Sequence, residues 1–317
     1  MSQDTHTHTH THIHTYTYTA IDIAKDSLQV CDGKTNTNIA NDKGAIQRLC
    51  KALAKTPQPC VVCEATGGYE RLLLSSLHAH NITVALVSPS RVRSFAKSEG
   101  VKAKTDPIDA KMLLKFAQQK TPRITPPPAP QTEQLTILMD RRSQRTADRT
   151  KEKNRLEKCT ATMKPFIEDS IAFIDSEIKQ LDAKITAIIT SCPILKKQNE
   201  TLQEIEGVGP ITAWSILAYM PEIIHLERNS AVALAGVAPF NRDSGKTRKK
   251  RSIIGGRAKI RRALYMAAQT AATHNKHIKT YVEGLKKRGK NHKMAMVAAM
   301  RKLLIHMQNL LKNIKYA

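Results

Sequence analysis

Five prolines crowd into nine residues, Pro122 to Pro130, of a 317-residue chain. Proline lacks the backbone donor that helix interiors and inner strands require, so no regular element runs through such a stretch. The expectation is a stiff, extended connector that divides the chain into parts with separate cores. Apolar residues make up 41% of the sequence, enough for real cores, which excludes a wholly disordered chain.

Before the break, the patterning alternates between strand and helix periods. Residues 5–14 repeat Thr and His, a low-complexity tail over 1–15 with no assigned role. Thr15 to Ile23 reads as a strand. Leu28 to Cys31 and Thr35 to Ile39 read as two more, joined by the hairpin signal Asp32-Gly33. Ala45 to Leu53 has helical spacing, and Cys60-Val61-Val62-Cys63 is a buried strand. Gly67-Gly68 opens a helix through Leu77, and Ile82 to Val87 is a further strand. Helices then begin at Ser88-Pro89 and at Thr105-Asp106-Pro107. Three strands followed by alternating helix and strand give a mixed α/β domain over 16–120.

After the break the pattern is helical. Arg141 to Lys158 is a charged, solvated helix, and Ile167, Ile171, Ile174, Ile178, Leu181, Ile185 and Ile188 form a heptad seam. The segment 121–200 therefore reads as a linker and coiled-coil arm, or a dimer zipper. At Gly207-Val208-Gly209-Pro210 a glycine-bracketed turn opens the apolar helix Trp214 to Met220. Such a turn aims backbone N–H groups at a phosphate, as in a helix-hairpin-helix clamp; the plain alternative is an ordinary interhelical turn. Ala258 to Ala272 and Met294 to Leu311 are further helices of a domain over 201–317.

Charge sharpens the functional reading. Lys and Arg total 51 against 27 Asp and Glu, a net +24. Residues 201–317 hold 22 of the basic side chains and 6 of the acidic ones. The densest run comprises Arg242, Lys246, Arg248, Lys249, Lys250, Arg251, Arg257, Lys259, Arg261 and Arg262, with Asp243 as its lone acid. This is a footprint for nucleic-acid phosphates, the alternative being a solvated face. No apolar run approaches the roughly 20 residues of a membrane span. Six scattered cysteines do not make a disulfide scaffold, so the expected compartment is the reducing cytoplasm. Cys60 and Cys63, in a buried strand, read as small apolar residues rather than zinc ligands.

Four carboxylates stand where chemistry is possible. Asp22 lies inside an apolar strand, where an unpaired charge costs several kcal/mol. Glu64 ends the second apolar strand, and Asp106 and Asp109 share one face at a helix start. Carboxylates so placed can converge on hard cations such as Mg²⁺ or Mn²⁺. Taken singly, Asp106 reads equally as a helix N-cap and Glu64 as a solvated strand end.

The segments Ala20-Ile21-Asp22-Ile23-Ala24-Lys25-Asp26, Glu64-Ala65-Thr66-Gly67-Gly68-Tyr69 and Lys104-Thr105-Asp106-Pro107-Ile108-Asp109-Ala110 resemble the DEDD signature of RuvC-like transposases of the Piv/IS-one-ten type. The segments Gly207 to Pro210, Ala235 to Pro239, Asp243 to Lys246 and Ala299 to Leu304 are similar to the same family's C-terminal domain. The resemblance runs from residue 18 to 310. It implies an RNase H-like (RuvC-like) DEDD domain, a helical arm and a mainly α, serine-bearing transposase domain. It also implies a mobile-element recombinase acting on donor and target DNA with a noncoding bridge (seek) RNA, as a dimer or tetramer. Ser244 matches the family's nucleophile; read by itself it is equally a loop serine. Other functions to be told apart are a protein-only invertase of the Piv type, a RuvC-like hydrolytic nuclease or resolvase, and a non-catalytic nucleic-acid binder.

Overall fold

In the computed structural model, which describes residues 16–101, 105–240 and 252–314, the alternation of the first part becomes one sheet with helices on both faces. The elements are β1 (Thr17–Ile23), β2 (Ser27–Cys31), β3 (Asn36–Ala40), α1 (Lys43–Leu53), β4 (Pro59–Glu64), α2 (Arg71–Ala79), β5 (Thr83–Val87), α3 (Pro89–Ser98) and α4 (Asp106–Lys120). Strand order is β3-β2-β1-β4-β5. β1 and β2 pair antiparallel, as do β2 and β3, whereas β1, β4 and β5 are parallel. The Asp32-Gly33 turn forms as read: the Asp32 carboxylate accepts from the N–H groups of Lys34 and Thr35 at 2.8 and 2.6 Å, and Gly33 has φ +92°.

Because side chains alternate along a strand, β1 and β4 feed two cores. Ile21, Ile23, Val61 and Cys63 pack with Ile46, Leu73 and Leu77 of α1 and α2. Ala20, Cys60 and Val62 pack on the other face with Val92, Phe95, Leu113 and Phe116 of α3 and α4. Burial on both faces explains why these two strands read as continuous apolar runs.

The chain divides into two compact units, Met1–Pro127 and Pro128–Ala317. The proline-rich connector is thus shared between them. Its first part runs beside β5, with Thr125 N–H donating to the Val84 carbonyl at 2.7 Å and its hydroxyl accepting from Leu86 N–H at 3.0 Å.

The second unit is helical: α5 (Pro130–Leu156), α6 (Lys164–Ser191), α7 (Pro193–Gln203), α8 (Pro210–Tyr219), a 3₁₀ turn (Pro221–His225), α9 (Arg228–Leu234), α10 (Ala258–His274), α11 (Lys276–Lys287) and α12 (His292–Lys312). A two-stranded sheet, β6 (Pro239–Phe240) with β7 (Ser252–Ile253), lies between α9 and α10. One apolar core joins α8, α9, α10 and α12. In it the buried Gln308 amide donates to the carbonyls of Ile223 and Leu226 at 2.9 and 2.7 Å, meeting the acceptors that the 3₁₀ turn leaves over. α5 and α6 belong to this unit and pack on each other.

The isoleucine seam therefore has a partner inside its own chain. Ile174, Ile178, Ile185 and Ile189 are buried on α6, while Leu181 and Ile188 are half-buried. The switch from Ile188 to Ile189 is the drift a 3.6-residue helix makes against a seven-residue repeat. Rungs between the two helices include Arg142–Asp182 at 2.5 Å, Arg145–Glu177 at 2.9 Å and Arg149–Asp175 at 2.7 Å. Among the described residues no helix is long and apolar enough to cross a membrane.

Candidate active site

The parallel register of β1 and β4 runs from Thr17↔Pro59 to Ile21↔Cys63, so Asp22 and Glu64 come next on adjacent strands. Asp22 alternates with Ile21 and shares the face of Ala20; Glu64 shares the face of Val62. That is the face covered by α4, whose first turn carries Asp106 and Asp109. Asp22 and Glu64 thus lie on one face of the sheet, and Asp106 and Asp109 stand in the first turn of the helix that covers it. Asp22, Glu64 and Asp109 are half-buried, and Asp106 is exposed. Thr105 takes the N-cap position of α4, so Asp106 is the first helical residue and not the cap. Both helix carboxylates stand at the positive end of the helix dipole. Among the described residues no three His, Cys, Asp or Glu side chains are gathered closely enough to hold an ion. The donor chemistry nevertheless fits a hard divalent cation, since every candidate ligand is a carboxylate oxygen.

Supports for this site came from residues that the sequence pattern did not single out. Gln29 pairs with Asp22 across β1 and β2 and is 6% exposed on the α4 face. A buried amide needs partners. Its Nε2 donates to Asn36 Oδ1, and its Oε1 accepts from Asn38 Nδ2 at 3.1 Å. Asn36 Nδ2 in turn donates to the Pro107 carbonyl at 3.0 Å. An amide relay therefore ties the strand beside Asp22 to the turn that bears Asp106 and Asp109.

Glu70 shapes the loop after Glu64. Its carboxylate accepts from the Thr66 hydroxyl at 2.6 Å and from the N–H groups of Gly68 and Thr66 at 2.8 and 3.2 Å. Burial pushes the Glu70 carboxyl up, but these bonds outweigh it and hold the group below the usual carboxylate range. Gly67 and Gly68 adopt φ +80° and +136°, the backbone region that glycine enters without steric cost. Asn41 Nδ2 bridges the neighbouring loops, donating to the carbonyls of Ala24 at 2.9 Å and Tyr69 at 3.4 Å.

Cys60 and Cys63 face opposite cores of the sheet, so they cannot share one ion. Burial pushes both thiols up to about 12, which keeps them protonated and poor ligands.

In the second unit, Gly207 has φ +97°, and a Cβ there would stand 2.7 Å from the Cβ and backbone N of Ala271. Close packing on α10 requires this glycine. Gly209 is the N-cap of α8, with open space around it. Arg257 donates to the Tyr219 carbonyl at 2.6 Å and pairs with Glu222 at 2.5 Å. Lys259 pairs with Asp140 and lies 4.6 Å from the Tyr219 ring centre. Arg261 donates to the Gly255 carbonyl at 2.6 Å, and Arg262 is exposed. Ser244 and the basic residues Arg242, Lys246, Arg248, Lys249, Lys250 and Arg251 lie outside the described residues.

The described ends of that stretch are closely held. Pro239 pairs with Ile253 and Phe240 with Ser252. Behind this pairing, Gly236 and Gly256 cross backbone to backbone with φ +71° and +72°. A Cβ on Gly256 would stand 2.2 Å from Gly236 Cα. Arg257 N–H donates to the Leu234 carbonyl at 2.8 Å and completes the junction.

Comparison with known proteins assigns the family. A transposase model of the DEDD type matches residues 19–165, and the Transposase IS116/IS110/IS902 family model matches residues 199–283. The pilin gene-inverting protein of Moraxella lacunata is 30% identical over 90% of this chain and 92% of its own length. That of Moraxella bovis is 29% identical over the same shares. An uncharacterized 43.6 kDa protein of insertion element IS110 from Streptomyces coelicolor is 25% identical over 43% of this chain and 33% of its own. With its N-terminal carboxylate segments and its C-terminal glycine turn both inside matched regions, the chain belongs to the IS116/IS110/IS902 family of transposases, which are DNA recombinases.

Proposed function

We propose that this chain cuts and rejoins DNA strands of a mobile element through a phosphoserine intermediate, with four carboxylates of its first unit serving as a divalent-metal site. The observation that supports this reading is that Asp22 and Glu64 share the sheet face covered by the helix whose first turn bears Asp106 and Asp109. The strand order β3-β2-β1-β4-β5 supports an RNase H-like assignment for the unit.

Asp22, Glu64, Asp106 and Asp109 would hold Mg²⁺ or Mn²⁺, which supplies Lewis acidity to phosphate oxygens and lowers the pKa of an attacking hydroxyl. The Ser244 oxygen bonds to phosphorus while the bond to a deoxyribose oxygen breaks. The serine proton leaves and the departing oxygen gains one, so the number of phosphodiesters is unchanged. Rejoining reverses the exchange with a different DNA hydroxyl. Gly207, Gly209, Arg262 and the basic run around Arg248 to Arg251 would hold nucleic-acid phosphates. Arg257, Lys259 and Arg261 would contribute to the same field while keeping their internal partners.

Guidance by a bridge RNA rests on the family resemblance. Assembly as a dimer or tetramer through the α5–α6 arm is supported by Phe166 and Phe173, one heptad apart and 67% and 63% exposed. The likeness to two pilin gene-inverting proteins over nearly their full length favours, as a second reading, a protein-only invertase. Sequencing of RNA that co-purifies with the protein separates the two.

The central experiment traps the reaction on a nicked substrate and seeks a DNA-shifted protein band on a denaturing gel. Ser244→Ala should lose both the band and recombinant product, and Asp22→Asn should lose strand cleavage, each with nucleic-acid binding retained. A band from Ser244→Ala would exclude that serine as nucleophile and advance a hydrolytic nuclease. Full cleavage by Asp22→Asn would remove the metal-site assignment.

A further inference from the structure

We infer that the groove between α3 and α4 is a phosphate track for the DNA strand being cut, leading it to the carboxylate site. This inference rests on the proposed function and adds the path of the strand. Glu64 pairs with Val87 across β4 and β5, so Val87 is about one strand spacing, some 4.8 Å, from the Glu64 backbone. α3 begins two residues further on, at Pro89.

From that end, Ser90, Ser94 and Ser98 recur every fourth residue on an exposed side of α3. They extend about 12 Å along the helix at 1.5 Å per residue, enough to accompany more than one phosphate. All three line the groove, together with Arg91 and Lys120. Among the described residues no acidic side chain lines it. Glu99, beyond its far end, pairs with Lys115.

The groove is also pre-shaped. Phe95 and Phe116 are buried in its floor, edge to face with ring centres 5.5 Å apart. The Arg91 guanidinium lies 5.5 Å from the Phe116 ring centre, and Lys120 Nζ lies 6.0 Å from that of Phe95. Resting a cation on an aromatic ring limits its wandering while leaving its donors for a ligand. The Ser94 and Ser98 hydroxyls donate to the carbonyls of Ser90 and Phe95 and would turn outward to meet a phosphate; with two held cations they would recognise a phosphodiester backbone without reading its bases.

The test uses the full chain with EDTA present, so that no strand is cut, and a 5′-labelled single-stranded DNA of mixed sequence. An RNA of the same sequence is measured in parallel. Arg91→Gln with Lys120→Gln keeps much of the packing on the rings and removes two charges. The log–log salt slope of DNA binding should fall by roughly 1.4, at about 0.7 per contact for a single strand. A photoactivatable aryl azide on Ser94→Cys should crosslink to the labelled DNA. An unchanged DNA slope, a slope change confined to RNA, or no DNA crosslink would each overturn the track. Wild-type cleavage in Mg²⁺ is assayed separately; its absence would count against the proposed function, while the slope and crosslink still decide the groove.

Discussion

Replacing Asn36 by Ala probes how the strand carboxylates and the helix carboxylates are held to one geometry. The lost side chain accepts from Gln29 Nε2 and donates to the Pro107 carbonyl. Gln29 is 6% exposed, so its amide would keep a donor with no acceptor in a place water reaches poorly, at a cost of roughly 1–3 kcal/mol. The exposed Pro107 carbonyl can take a water instead, at small cost. A loss of about 2 kcal/mol should lower the melting of the first unit by roughly 8 °C, at about 4 °C per kcal/mol for a unit near this size. The double variant Asn36→Ala with Gln29→Leu removes the stranded donor as well and should recover most of that loss. Calorimetry of the four proteins gives the coupling, and Mn²⁺ titration by electron paramagnetic resonance gives the consequence at the site. On the proposed metal site, Mn²⁺ affinity should fall by roughly tenfold in Asn36→Ala, the low end of what losing an outer support costs at a metal centre. Additive melting shifts, or unchanged Mn²⁺ binding, would refute the relay.

Glu70→Gln should destabilise the loop after Glu64 at neutral pH. Because the folded carboxyl is held below its usual range, its contribution is complete above the unfolded value near ~4.3 and fades as pH falls through the folded one. Melting curves of wild type and variant should therefore converge in acid; a constant gap would refute the assignment. Gly256→Ala should cost about 2–5 kcal/mol in urea unfolding, about 1–2 from its left-handed backbone and the rest from overlap with Gly236. Gly284, in α11 with open space around it, supplies the control, and Gly284→Ala should be neutral or stabilising. Ile174→Asp should disrupt the α5–α6 packing and lower the melting temperature. Leu181→Asp, at a half-buried position, should instead reduce self-association in sedimentation; the reverse pattern would move the subunit contact off this stripe.

The order of strands and helices in the first unit was readable because each element carries its own signal. A β-prone apolar run marks β1, proline marks the starts of α3 and α4, and Asp32-Gly33 marks the turn. The common face of Asp22 and Glu64 follows from the two-residue period of side chains along a strand once two strands pair in parallel. Contacts made at a distance in sequence were not readable. Asn36 and Pro107 are 71 residues apart, and no local pattern links them. Glu70 carries no signal in the sequence pattern, because its work is a set of short hydrogen bonds within one loop. The isoleucine seam announced a partner but not which one, since a heptad stripe is equally satisfied by α5 or by another molecule. Among the basic residues, Arg257 and Lys259 were read from local charge density, whereas Glu222 and Asp140, which pair with them, lie 35 and 119 residues away.

The crossing of Gly236 and Gly256 separates two things that a chain usually changes together, attachment and reach. Attachment is set by two glycines in backbone contact, by the pairing of β6 with β7 and by the Arg257 bond to Leu234; any side chain at the crossing acts against it. Reach depends on how many residues run between Phe240 and Ser252, and nothing at the crossing counts them. Closing a loop a few residues longer costs little, because the entropy grows only with the logarithm of length. A library of length variants between Phe240 and Ser252 should therefore leave the stability of this junction nearly unchanged, provided both glycines stay.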